Sequence, residues 1–347
     1  MFLNKLKSSK NLKNLLTIGL ITYYDNNNLT SPFNLEGHCD VTKERRVSRM
    51  SEQLVYVNGE FVTKDKAVVS VYDHGFLYGD GVFEGIRAYN GNVFRLKEHL
   101  VRLYESAKSI MLEIPHTFEE VEKIVVETLQ RNNLKSGYIR LVISRGKGNL
   151  GIDPRSCPTA SVICIAEELA LFPKELYESG VEVISASYRR NRSDVLSPKT
   201  KTLNYLNNVL VKIEANQAGV GESLMMNDQG YVAEGSSDNI FIVKNGEVIT
   251  PPGYIGALVG ITRNAIMEVA ANKGYKVKED VFTRHDVYVA DEVFLTGTAA
   301  EVIAVVKVDG RVIGDGKPGP ITNNILKGFR EIVELDGTKY LTEEVNN

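Results

Sequence analysis

Cysteine is scarce in this 347-residue chain: Cys39, Cys157 and Cys164 are the only three, an odd number with no Cys-x-x-Cys spacing. That argues against a disulfide framework and a cysteine-based zinc site, and predicts a reducing, cytoplasmic setting. Histidine is nearly as sparse. His38, His74, His99, His116 and His285 show no metal-ligand spacing, so no metal is expected. An excess of either charge is also missing. With a net charge of −3 there is no broad basic surface, and no nucleic-acid partner is expected. No apolar run approaches membrane length. Leu15–Leu20 follows Lys5, Lys7, Lys10 and Lys13 in the manner of a signal peptide, but it is too short to span a bilayer and no small-residue cleavage site follows.

What is present suits a soluble globular protein: 43% hydrophobic and 24% charged residues. The length exceeds what one core usually serves and predicts two domains. Residues 1–49, with the polar text Asp25–Asn28, read as an N-terminal extension, either disordered or preceding a natural start at Met50. A smaller α+β domain is expected over 50–167. An interdomain loop follows over 168–180, where ELALFPKELYESG lacks a clear period, and a larger domain over 181–347. Apolar runs around Asn58-Gly59, Asn90-Gly91, Asn245-Gly246 and Asp309-Gly310 predict tight hairpins. Helices are predicted over 96–112, from the Thr117/Glu120 capping box to Asn132, around Leu203, Leu206, Leu210 and Ile213, and from Thr262 to Gly274. Strands are predicted at 138–144, 160–166 and 181–187. The fold class is α+β, two domains of mostly antiparallel sheet flanking a cleft.

GKGNLG (146–151) matches a dinucleotide-binding glycine pattern, but Asp153-Pro154 follows it as a turn signal and no helix starts within it. The reading therefore fails for want of a helix N-terminus to meet a pyrophosphate. In SPKTKTLNYLNN (197–208), Lys201 directly precedes the expected helix, whereas Lys199 follows Pro198 without comparable anchoring. A partly desolvated lysine at such a place is a nucleophile toward carbonyls, although most lysines are simply solvated. Three further stretches complement it. Gly260-Ile261-Thr262 opens a helix, Thr296-Gly297-Thr298-Ala299 ends a strand, and Glu234 precedes a Gly-Ser-Ser turn. Singly these are ordinary caps and turns. With a lysine they supply what pyridoxal phosphate needs: backbone donors for its phosphate and a carboxylate for its ring nitrogen.

The set GDGVFEGIRAYNG (79–91), FRLKEHLVRL (94–103), YIRLVISRGKGNLGIDP (138–154), KTLNYLNN (201–208), EGSSDNIF (234–241), GITR (260–263) and TGTAAE (296–301) resembles the class IV, fold-type IV pyridoxal phosphate aminotransferases. The resemblance spans residues 52 to about 335 and is nearest to the branched-chain amino acid enzymes. It implies Lys201 as the cofactor lysine and proton carrier, and Arg102, Ile261, Thr262 and Thr298 at the cofactor phosphate. Glu234 falls to the pyridine nitrogen and Tyr205 to the phenolic oxygen. Substrate positions implied are Tyr78, Phe83 and Tyr138 as apolar walls and Arg140 at the pocket mouth. Arg87 is implied at the pocket rim or in a structural role, and Gly297, Thr298 and Ala299 at the α-carboxylate. The implied reaction moves the amino group between Leu, Ile or Val and 2-oxoglutarate in a ping-pong cycle, in a homodimer or hexamer. A D-amino acid aminotransferase and an aminodeoxychorismate lyase share the fold and remain alternatives. Residues 1–49 have no counterpart in the family.

Overall fold

The four expected hairpins turn where the Asn-Gly and Asp-Gly pairs stand. Asn58, Asn90, Asn245 and Asp309 have φ between 45° and 50°, and each following glycine is also left-handed, as this turn type requires. The computed structural model describes residues 53–168 and 173–341. The expectations for residues 1–49, and for 169–172 within the connecting loop, lie outside the described residues.

The first part runs β1 (Leu54–Val57), β2 (Glu60–Thr63), α1 (His74–Tyr78), β3 (Gly81–Tyr89), β4 (Asn92–Phe94), α2 (Leu96–Ser109), α3 (Phe118–Arg131), β5 (Gly137–Ser144) and β6 (Ser161–Glu167). It continues through α4 (Lys174–Ser179), β7 (Val181–Ser185), α5 (Leu206–Ala218), β8 (Glu222–Met226), β9 (Val232–Gly235), β10 (Asn239–Lys244) and β11 (Glu247–Thr250). The last elements are α6 (Ile261–Asn272), β12 (Lys276–Glu279), α7 (Arg284–Tyr288), β13 (Glu292–Gly297), β14 (Glu301–Val308), β15 (Arg311–Val312), α8 (Pro320–Ile332) and β16 (Gly337–Lys339). One sheet, ordered β16-β4-β3-β5-β6-β1-β2, is antiparallel throughout. The other, β12-β11-β10-β13-β14-β7-β8-β9 with β15 on β14, is parallel only at β11·β12, β14·β7 and β7·β8. The chain passes between sheets after β6, and its last strand returns to the first.

α2 buries Leu96, Leu100, Leu103 and Ala107 against the first sheet, the stripe its spacing predicts. Each fully buried leucine contributes about 1.5–3 kcal/mol relative to an exposed one. α3 starts in the predicted capping box, with Thr117 and Glu120 each satisfying the other's backbone N–H. α6 and α8 cover the second sheet, where Phe241 and Phe294 stack with ring centroids 4.9 Å apart. GKGNLG leads into a one-turn 3-10 segment, Pro154–Ser156, rather than a helix.

The predicted apolar stripe of α5 is corrected. Leu203 precedes the helix, Leu206 and Ile213 are exposed, and the buried face is Asn208, Val211 and Ala215. The cause is a polar anchor. Asn208 Nδ2 donates to Ser236 O at 2.7 Å and Oδ1 accepts from Arg190 at 3.1 Å, which turns Leu206 and Ile213 outward and leaves Leu210 half-buried.

Candidate active site

Lys201 is fixed from both sides before its amine does anything. Its N–H donates to Ser106 Oγ on α2 at 3.1 Å, and its C=O accepts from Phe83 N on β3 at 3.0 Å. The next residue, Thr202, bridges Val82. The short, irregular segment before α5 is thus held beside β3 by an isolated antiparallel bridge. Its half-buried side chain reaches Tyr205, with Nζ 2.9 Å from the phenol oxygen and 4.6 Å from the Phe83 ring centre. Tyr205 meets Phe83 edge-on, centroids 4.9 Å apart. Lys199 is exposed and joins none of this.

A second group is built on an acid buried inside an apolar strand. Glu84 of β3 is fully buried and accepts from Arg102 Nε at 2.8 Å and Arg102 Nη2 at 2.7 Å; its Oε2 is also 2.8 Å from His99 Nδ1. His99 and Arg102 stand three apart on α2 and so face the same way. Burial alone would raise the Glu84 carboxyl, but the Arg102 charge and the hydrogen bonds from Arg102 and His99 hold it at about 2. Burial lowers His99, against the pull of Glu84. Arg102 is pushed up, its burial outweighed by the Glu84 charge. Arg102 Nη1 donates to Val259 O at 2.8 Å, which brings the guanidinium to the start of α6. Three of its five N–H groups are thereby used and two remain.

α6 begins at Gly260 with no side-chain cap, so its first N–H groups keep the donor capacity a helix start offers an anion. Glycine is needed there, because a Cβ would collide with Asn239 Oδ1. Thr296 Oγ1, buried near this end, has no hydrogen-bond partner among the described residues. The opposite wall is aromatic: the Arg140 guanidinium lies 4.7 Å from the Phe83 ring centre and donates to Tyr138 Oη at 3.0 Å.

These side chains enclose one cavity of about 320 Å³, lined by Phe83, Arg102, Tyr138, Arg140, Lys201, Tyr205, Ile261, Thr262, Gly297, Thr298 and Ala299 among the predicted positions. A lysine amine faces an anion pole made of an arginine, an uncapped helix start and an unpartnered threonine hydroxyl. That donor set suits an aldehyde that carries a phosphate, as pyridoxal phosphate does. The family pattern for amino-transferase class IV matches residues 81–308, which contain every one of these groups. The chain belongs to the class IV aminotransferases. A Methanocaldococcus jannaschii protein, which carries the provisional name of a branched-chain-amino-acid aminotransferase, is 52% identical over 289 residues, 83% of this chain and 99% of that one. The solved Escherichia coli branched-chain amino acid aminotransferase superposes with a TM-score of 0.79 at 35% identity, covering 85% of this chain and 98% of that one. The T.th. enzyme of the same name, solved as a complex with N-(5'-phosphopyridoxyl)-L-glutamate, gives 0.78 at 39%, covering 84% and 97%. Pyridoxal phosphate is the cofactor of this class IV aminotransferase.

Three predicted positions of the aminotransferase stand outside the cavity lining. Tyr78 ends α1 and is exposed, its hydroxyl donating to Leu150 O at 2.5 Å and its ring edge-on to His74. Arg87 lies behind the turn between β13 and β14 and donates to Ala299 O at 3.1 Å. Glu234 is one layer back: Oε2 accepts from the N–H of Leu258, a lining residue, at 2.8 Å, and Oε1 is 2.8 Å from Arg190 Nε. Burial raises the Glu234 carboxyl and the Arg190 charge opposes it. Sequence reasoning missed Glu84, His99, Arg190 and Asn239. For the first two a signal exists: an acid in the middle of the apolar run GVFEGIRAY needs a buried cation, and α2 offers one. Arg190 lies in a loop with no periodic pattern to mark it. Among the described residues no helix is long and apolar enough to cross a membrane.

Proposed function

We infer that this protein is a pyridoxal-phosphate-dependent branched-chain-amino-acid aminotransferase. It moves the amino group between Leu, Ile or Val and 2-oxoglutarate. The observation that carries the reading is the single cavity in which the Lys201 amine, the Arg102 anion pole and the Phe83/Tyr138 aromatic wall meet. The bound cofactor supplies an electron sink for the bond broken at the substrate Cα. Lys201 carries the proton between substrate Cα and the cofactor's C4′, its amine aimed by Tyr205. Arg102, Ile261, Thr262 and Thr298 hold the phosphate. Glu234 serves the ring nitrogen, since its oxygens keep lone pairs beyond the one given to Leu258 N–H, with the Arg190 charge alongside. Phe83 and Tyr138 bound an apolar side-chain pocket, and Arg140 is placed to take the second carboxylate of glutamate. Gly297, Thr298 and Ala299 receive the α-carboxylate.

A homo-oligomer, dimer or hexamer, is part of this reading. Phe76 and Tyr78 on α1, and Leu150 and Ile152 on the neighbouring loop after β5, are exposed apolar side chains, the kind of surface a second copy covers. Free Cys157 and Cys164 are consistent with the cytoplasm.

The test is spectroscopic. L-leucine alone should discharge the visible absorbance of the bound cofactor, and 2-oxoglutarate should restore it. A response to D-alanine or aminodeoxychorismate and none to L-leucine would overturn the assignment. Two substitutions sharpen it. Arg140→Ala should raise KM for 2-oxoglutarate by about tenfold or more while changing KM for leucine far less, because only the first substrate brings a second carboxylate; equal changes would remove Arg140 from that role. Glu234→Gln should retain cofactor but slow proton transfer by roughly 100-fold. A wild-type rate in single-turnover kinetics would mean that another carboxylate serves the ring.

A further inference from the structure

The turn between β13 and β14 lines the cavity with Gly297, Thr298 and Ala299 on one side and is gripped from behind on the other. Ala299 O accepts from Arg87 Nη1 at 3.1 Å, and Ala300 O accepts from Tyr177 Oη at 3.1 Å. These two donors come from β3 and α4, elements outside the turn's own hairpin. The next residue, Glu301, is a non-glycine with φ of 56°, a left-handed conformation that costs energy and persists only where its surroundings impose it. What imposes it is visible. The buried Glu301 carboxylate lies 3.4 Å from Arg87 Nη1 and accepts from Arg330 Nε of α8 at 3.0 Å. The Arg330 guanidinium in turn lies 5.2 Å from the Tyr177 ring centre. Glu301 therefore ties together the same two side chains that hold the turn's carbonyls, one by ion pair and one through Arg330.

A peptide's C=O and N–H point in opposite directions across one plane. Fixing the Ala299 carbonyl backward therefore turns the Ala300 N–H forward, and a left-handed residue beside a run of such amides makes a concave nest for an anion. We propose that Glu301, with Arg330 and Tyr177, is a positioning residue that holds the 297–300 turn with its N–H donors presented to the substrate's α-carboxylate. It touches neither cofactor nor substrate. The proposal rests on the reading of the cavity as an amino-acid site.

The test uses the holoenzyme with Arg330→Gln, a half-exposed position, and Glu301→Gln. The probes are 4-methylpentanoate and 4-methylpentanamide, which differ only in the carboxylate, with binding followed by calorimetry. Both variants should bind the carboxylate about tenfold or more weakly, the amide nearly as well as wild type does, and pyridoxal phosphate within about twofold of wild type. KM for leucine should rise more than kcat falls. Equal binding of the carboxylate by Arg330→Gln and wild type overturns the proposal and leaves the enzyme assignment intact, even if Glu301→Gln does not fold. Parallel weakening of the amide and the cofactor overturns it too, by showing a general structural role. A wild-type protein that takes up no pyridoxal phosphate overturns the functional reading and this proposal together.

Discussion

Lys201→Ala loses transamination by a factor of roughly 10⁴ or more, since a positioned general base alone supplies up to that and the covalent anchor goes with it. The variant should still fold. Its backbone contacts to Ser106 and Phe83 do not involve the side chain, so the segment stays along β3. Pyridoxal phosphate should still bind, through Arg102 and the start of α6, but without the absorbance change that accompanies attachment to an amine. The measurement is single-turnover kinetics with L-leucine beside a cofactor-binding titration. Residual turnover within about 100-fold of wild type would remove Lys201 from the proton transfer. Lys199→Ala is the control: exposed and outside the cavity, it should leave the rate unchanged.

The second large effect belongs to Glu84, which touches no substrate. Glu84→Gln leaves Arg102 buried without its counter-ion, and breaking such a pair costs about 3–5 kcal/mol. Urea denaturation of the cofactor-free protein should read that loss at pH 7. The same carboxylate sets an acid limit. Its folded value of about 2 lies below the ordinary 4.5, so its stabilisation is complete above about 4.5 and is lost as pH falls toward 2. By linkage that is worth about 3 kcal/mol. His99 works in the same direction, because burial lowers it and protonation in the unfolded chain is easier. Wild type should therefore lose stability steeply on acidification, and Glu84→Gln less so across about pH 5 to 2. Cofactor binding supplies a second readout. The variant should lose affinity for pyridoxal phosphate much more than for pyridoxal, which has no phosphate for Arg102 to meet. Equal losses would mean that Glu84 does no more than hold the core together.

The parts of this molecule that were legible in the sequence are those set by local rules. The Asn-Gly and Asp-Gly hairpins need left-handed backbone at fixed positions, and Thr117 with Glu120 closes its own cap. The α2 stripe has to meet a sheet. Lys201 was separable from Lys199 by its place before the predicted helix, although α5 begins only at Leu206, and eleven of the positions named from the motif set line one cavity. What stayed hidden depends on partners far along the chain. The leucines of α5 have helical spacing, yet Asn208 and its bonds to Ser236 and Arg190 decide which face turns inward. Tyr78 is aromatic and close in sequence to Phe83, yet α1 and its capping Gly79 carry it to the exposed surface. The support behind the turn between β13 and β14 draws on residues 87, 177, 301 and 330, whose meeting no window of sequence contains.

The return of β16 to the first sheet affects the order of assembly. Gly337–Lys339 pairs with β4, Arg95 at the start of α2 is paired with Asp336, and the Tyr340 hydroxyl donates to the carbonyls of Leu134 and Lys135. β4 thus leaves the ribosome long before the strand that covers its edge. During synthesis it is an open edge, with unpaired backbone groups able to join a neighbouring chain. Once the tail docks, the first sheet is latched by residues that come after the whole second sheet.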